Sequence, residues 1–265
     1  MKVDRVIFCL NDNPKYIGFW NPFSKVWKQK YNIHPTVIFV GTEKALEKNN
    51  LSQQWGDVVR LNPVEECIVD PNQDWSTTWA LFYGSSLFED EVCLTMGIDQ
   101  LPLSSNFFDF LLNSKEIDND KYVIAHSGAY RQYGMSHYPS AWHIAKGSLY
   151  KEVLKIDSDW AREVKRVFAA RGNYKTLPKN FWALDEHHSS AMIDQYIAEQ
   201  HNNSNIVFFP NLFQQHWSPK RLDRGGRLQY DVKALRAGEY TELHSPRPFE
   251  DNSDYLLKLI EDLLQ

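Results

Sequence analysis

Four short apolar runs in the first hundred residues each stop on a polar or glycine turn. Val3–Leu10 stops on Asn11-Asp12-Asn13-Pro14, "HPTVIFV" (34–40) on Gly41-Thr42, "DVVRL" (57–61) on Asn62-Pro63, and Glu91–Met96 on Gly97-Ile98-Asp99. Runs of this length, β-branched or aromatic and closed by turn residues, predict strands, the first of them buried. Between them, Tyr16–Tyr31 and Trp75–Phe88 carry apolar residues at helical spacing. Strands that alternate with helices indicate an α/β fold with a mostly parallel central sheet and right-handed crossovers.

Further on, "NFFDFLLN" predicts a short helix, "KYVIAHS" a strand, "GSLYKEVLKI" a helix, and "NIVFFP" a late strand. Asp159–Ala170, His187–Glu199 and Asn252–Leu264 have helical spacing, whereas "RLDRGGRLQYD" reads as a charged, glycine-rich loop. No repeat, low-complexity segment or linker interrupts the pattern, so one domain over 1–265 is expected.

A net charge of −5 argues against a general nucleic-acid binder. Cys9, Cys67 and Cys93 are scattered and show no zinc-site spacing; "DEHH" (185–188) lacks it too. The opening "MKVDRVIFCLND" is too short an apolar stretch for a signal peptide, and no run reaches transmembrane length, so a cytoplasmic chain is expected. Nine Trp within 14% aromatic content suit either sugar and base stacking or a thick aromatic core.

Asp99 raises the functional question. Ligands of parallel sheets gather at the carboxyl ends of strands, where the loops diverge. A carboxylate fixed there can hold a divalent cation, which in turn holds a diphosphate; alternatively it caps its own turn ahead of Leu101-Pro102. Near the other end, "YTELHSPRPFED" sets His244 and Arg247 around stiffening prolines. A neutral imidazole ligates Mn²⁺ beside carboxylate oxygen, and guanidinium pairs with phosphate in a bidentate manner.

"LTMGIDQLPLSSNFF" resembles the strand-end segment of GT-A glycosyltransferases, in which Asp-x-Asp binds a metal and a nucleotide sugar. Small microbial and viral sugar transferases of this type carry a later Asp-Glu and a terminal His-x-x-Arg-Pro-Tyr/Phe. Here "ALDEHH" and "HSPRPF" follow in that order, and "YPSAWHIAKGSLY" is similar to a further segment of the group. The resemblance implies a GT-A-like (Rossmann-like) fold whose nucleotide-binding half spans roughly 1–104. Residues 105–265 would form the acceptor half and the C-terminal metal and phosphate motif. It also implies a metal site of Asp99 and His244 for Mn²⁺ or Mg²⁺, with Gly97 standing where the first Asp belongs. That departure weakens the metal site, lets cationic side chains replace the ion, or removes the activity altogether.

Asp185 and Glu186 are the candidate catalytic acids. One is expected to cap the following helix and the other to deprotonate the acceptor, with Asp185 favoured as the base. Donor contacts are expected from Asp12, Asp99, Arg224 and Arg247, with the loop bearing Arg221, Asp223, Arg224 and Arg227 closing over the diphosphate. Trp182 either stacks on a sugar or joins the core. The resulting expectation is transfer of a sugar, with inversion, from a nucleoside-diphosphate donor to a glycan or lipid-linked saccharide acceptor in polysaccharide biosynthesis. A non-catalytic sugar-nucleotide or glycan binder on the same scaffold is the alternative. A nucleotidyltransferase is less favoured, because "CLNDNPKYIG" is no glycine-rich phosphate loop.

Overall fold

The computed structural model describes residues 1–265 apart from 71–73, 178, 180, 202–204, 212–219 and 226–227. The four early runs form β1 (Arg5–Leu10), β2 (His34–Val40), β3 (Asp57–Leu61) and β4 (Val92–Thr95). They join β6 (Tyr122–Ile124), β7 (His143–Lys146) and β8 (Ile206–Phe208) in a seven-stranded sheet of order β3-β2-β1-β4-β7-β6-β8. Pairing is parallel throughout β3-β2-β1-β4 and between β6 and β8. Only β7 runs antiparallel to both of its neighbours. The α/β, mostly parallel architecture read from the sequence is therefore present.

Strand side chains alternate between two cores, as the twofold period of a strand requires. Val6, Phe8 and Leu10 face one cluster with Trp20, Phe23 and Trp27 of α2 (Trp20–Lys30) and with Leu256 and Leu259 of the last helix, Ser253–Leu264. Ile7 faces the other, with Trp79 and Phe82 of α4 (Trp75–Ser86), Val153 of α6 (Gly147–Val153), Val164 of α7 (Trp160–Ala170) and Ile193 of α8 (Leu184–Glu199). The aromatic content serves the core first: Trp20, Trp27, Trp75 and Trp79 are all fully buried.

A tight approach locks α6 beneath the sheet. A Cβ on Gly147 would stand 2.3 Å from the Phe88 carbonyl oxygen and 2.5 Å from that of Ser85, both backbone atoms that have little room to move. Gly147→Ala is therefore expected to lower stability by about 1–3 kcal/mol through overpacking, measured as the urea midpoint. An unchanged midpoint would show that the two segments separate freely.

A second, three-stranded sheet positions the site. After β4, the Gly97-Ile98-Asp99 turn is closed by Gln100 N–H donating to the Gly97 carbonyl (2.9 Å) and leads into β5 (Gln100–Pro102). β5 pairs antiparallel with β10 (Tyr240–His244), which places His244 opposite Gln100. β9 (Lys220–Asp223) runs parallel to β10 and places Asp223 opposite His244. Thus segments more than a hundred residues apart meet at the end of β4.

Three local readings change. Tyr16–Tyr31 is two helices, α1 (Pro14–Ile17) and α2, with the Asn13 side chain capping the first. Residues 220–223 form a strand where a loop was expected, while Arg227 lies outside the described residues. α8 starts at Leu184, so Asp185 and Glu186 occupy its first turn instead of preceding it. Its cap is Ala183, which has no side-chain hydrogen bond, and the charge of Glu186 complements the positive end of the helix dipole from within. Among the described residues no helix is long and apolar enough to cross a membrane.

Candidate active site

A cleft of about 670 Å³ opens at the carboxyl ends of β1 and β4. Two polar clusters line it. The first is centred on Asp99, whose side chain is only 10% exposed. Its Oδ2 lies 2.5 Å from Arg224 Nη1, 3.5 Å from Arg247 Nε and 3.6 Å from His244 Nε2. Backbone pairing fixes this convergence: Ser245 N–H donates to the Asp99 carbonyl (2.8 Å), and Arg224 N–H donates to the His244 carbonyl (3.0 Å). Arg247 also hydrogen-bonds the Tyr16 hydroxyl, its guanidinium carbon 5.0 Å from the ring centroid.

The second cluster is carboxylate-rich. Glu186 lines the cleft; Asp185 is buried behind it and does not. Glu186 Oε1 accepts from the Tyr130 hydroxyl (2.8 Å) and from Ser140 N–H (3.3 Å). Glu186 Oε2 is buried and accepts no hydrogen bond among the described residues, with His137 Nε2 3.5 Å away. An orphaned buried carboxylate oxygen is costly unless a ligand hydroxyl or water fills its lone pairs. Burial, reinforced by Glu186, pushes the Tyr130 hydroxyl up, so Tyr130 remains a donor. Trp182 lines the cleft half-exposed, as a stacking platform would.

Asp185 accepts from the Ser140 hydroxyl in its buried position. Burial, and then the charge of Glu186, raise its pKa from 3.8 to about 7. The folded chain therefore holds this proton more tightly than the unfolded chain. Unfolding releases it between about pH 4 and 7, so this group's contribution to stability falls as pH rises through that window. Asp185→Asn should remove that slope, so that the variant gains stability on the wild type between pH 4 and pH 8 in urea titrations. Parallel curves for the two proteins would show that Asp185 is ionised in the fold throughout.

The other expected residues divide. Asp99, Arg224, His244 and Arg247 come together at the cleft, and Glu186 faces it. Asp12 is exposed and does not line the cleft; its neighbours Asn11 and Asn13 do. Arg221 is turned to Glu242 (2.8 Å) and Asp223 (3.3 Å). His188 is taken up by Arg166 Nη1 at Nε2 (3.2 Å) and by the Tyr174 hydroxyl at Nδ1 (2.7 Å). Because Arg only donates, Nε2 must accept and Nδ1 carries the hydrogen. The Tyr130 and His137 contributions went unread, since "AYRQYGMSHYP" has no periodicity to place it.

These residues do not fit a divalent-cation site. Gly97 offers no ligand, and a Cβ there would meet Gln100 Oε1 at 3.0 Å and Asp99 Oδ1 at 3.2 Å. Asp99 Oδ2 is already ion-paired. No group of three His, Cys, Asp or Glu among the described residues stands where it would hold an ion.

No protein-family model and no curated protein matches the chain. Solved structures do. An active-site mutant of LgtC aligns over 96% of this chain and 95% of its own, at 14% identity and a TM-score of 0.50. This chain has the GT-A fold. Galactosyltransferase LgtC in complex with donor and acceptor sugar analogues aligns over 98% of this chain and 95% of its own, at 12% identity and a TM-score of 0.46. Mouse xyloside xylosyltransferase 1 aligns over 92% and 98%, at 10% identity and a TM-score of 0.42. On the GT-A scaffold seen here, the cationic cluster follows the end of β4, and the Glu186 cluster lies across the same cleft.

Proposed function

We propose that this GT-A chain is a glycosyltransferase that moves a sugar from a nucleoside-diphosphate donor to a saccharide acceptor. One observation carries the reading: a single cleft joins a cationic cluster suited to a diphosphate with a carboxylate oxygen that has no hydrogen-bond partner among the described residues. The nucleotide half, 1–104, supplies Asn11, Asn13 and Asp99. Residues 105–265 supply the acceptor wall and return through Arg224, His244 and Arg247 to the phosphates. The acceptor is a glycan or lipid-linked saccharide whose ring stacks on Trp182.

The chemistry follows from the charges. As the bond from the anomeric carbon to the diphosphate oxygen breaks, negative charge grows on that oxygen, and Arg224 and Arg247 stabilise it. The acceptor oxygen forms the new bond to the anomeric carbon, and Glu186 Oε2 takes its proton. Tyr130 and Ser140 N–H hold the other carboxylate oxygen, so Oε2 is the one left to act. NMR of the product's anomeric configuration tests the inverting course.

Incubation with a panel of UDP-, GDP- and dTDP-sugars, followed by release of the nucleoside diphosphate, tests the enzyme reading. Slow donor hydrolysis without acceptor is expected for one of them. Binding without hydrolysis or transfer would make the chain a sugar-nucleotide binder instead.

A further inference from the structure

We propose that Arg224 and Arg247 take the place of a divalent cation at the donor diphosphate, and that Asp99 is a positioning residue rather than a metal ligand. This rests on the donor-site reading above and makes it more specific. The charges near the end of β4 are unevenly shared. Arg221 is matched by Asp223 and Glu242, whereas Arg224 and Arg247 share the single carboxylate of Asp99, with His244 facing the same oxygen. Two permanent positive charges on one negative charge leave a cationic pocket that a diphosphate would complete. Guanidinium groups stay charged at any working pH, and their planar forks match phosphate oxygens.

Both arginines are held ready to bind. Arg224 is anchored through its backbone on β10, and its Nη1 lies on Asp99 and 3.5 Å from the Ser245 carbonyl. Arg247 is braced by the Tyr16 hydroxyl and ring. Neither Nη2 has a hydrogen bond among the described residues, which leaves one arm of each fork for a ligand. A divalent ion at Asp99 would have to displace Arg224 and sit between two like charges. The second carboxylate that would offset this is missing at Gly97, where Gln100 takes the space.

Isothermal titration of the full chain with UDP, GDP and dTDP, in EDTA and in MnCl2, tests the inference. One of them is expected to bind in EDTA with a Kd little changed by Mn²⁺. Arg224→Gln and Arg247→Gln should each weaken that binding by about 10- to 100-fold, the range for a lost charge-assisted hydrogen bond. Asp99→Asn should cost less than either and create no Mn²⁺ dependence. Binding of the wild type only with Mn²⁺, abolished in Asp99→Asn, would overturn the inference and leave the donor site standing. No binding in either medium would remove the donor site itself. Should the arginine variants lose their near-UV circular dichroism, the wild type in EDTA still decides. Affinity that falls steeply with NaCl supports the cationic cradle, and salt-independent affinity overturns it.

Discussion

Glu186→Gln is expected to lower the transfer rate by about 10²–10⁴-fold, the usual loss on removing a general base. Nucleotide affinity should be unchanged. The substitution preserves volume, and an amide oxygen can still accept from the Tyr130 hydroxyl and Ser140 N–H. What it removes is the basicity of Oε2, the oxygen that accepts no hydrogen bond among the described residues. Asp185→Asn provides the contrast, because Asp185 is sealed under Ser140 and does not line the cleft. Its rate should stay within a few-fold of wild type. Kinetics of both variants alongside nucleotide titration will separate the roles. A wild-type rate in Glu186→Gln with collapse in Asp185→Asn would mean that the buried acid reaches the substrate after all.

Asp-Glu ahead of an apolar run reads as a cap followed by a helix, and the reading favoured Asp185 as the base, whereas Glu186 is the member that lines the cleft. α8 instead begins at Leu184. One residue of helical rotation, about 100°, then separates an acid aimed into the cleft from one aimed into the core. The early strands were legible because each is an apolar-rich run closed by turn residues, although β3, with Asp57 and Arg60, is only half-buried. β7 has four residues, β5 three, and β9 is mostly charged, so none carries a period long enough to read. The pairing of β5 and β9 with β10 nevertheless brings Asp99, Arg224 and His244 together. The order of the motifs predicted that meeting, but the partnership of Arg224 with Asp99 needed the β9–β10 register, which no local pattern encodes.

Glu163→Ala should cost about 2–4 kcal/mol in urea unfolding, because it leaves two neutral donors and a half-buried guanidinium without their acceptor. Glu163 sits on α7 with no exposure, and four donors converge on its two oxygens. Oε1 accepts from Arg166 Nη2 (2.7 Å) and Trp79 Nε1 (3.0 Å); Oε2 accepts from Arg166 Nε and Asp157 N–H, both at 2.9 Å. Alanine would strand the Trp79 indole, the Asp157 amide and a guanidinium that is only 35% exposed. Glu163→Gln retains one good acceptor oxygen and should cost roughly half as much. The consequence reaches the cleft, because Arg166 Nη1 also donates to His188 on α8, two residues from Glu186. Loss of the carboxylate frees Arg166 and removes a restraint on the helix turn that aims the proposed base, so kcat should fall more than nucleotide affinity does. A Glu163→Ala protein with an unchanged urea midpoint would mean that α7 and α8 are held by their apolar faces alone, and that this polar bridge contributes nothing to the aim of Glu186.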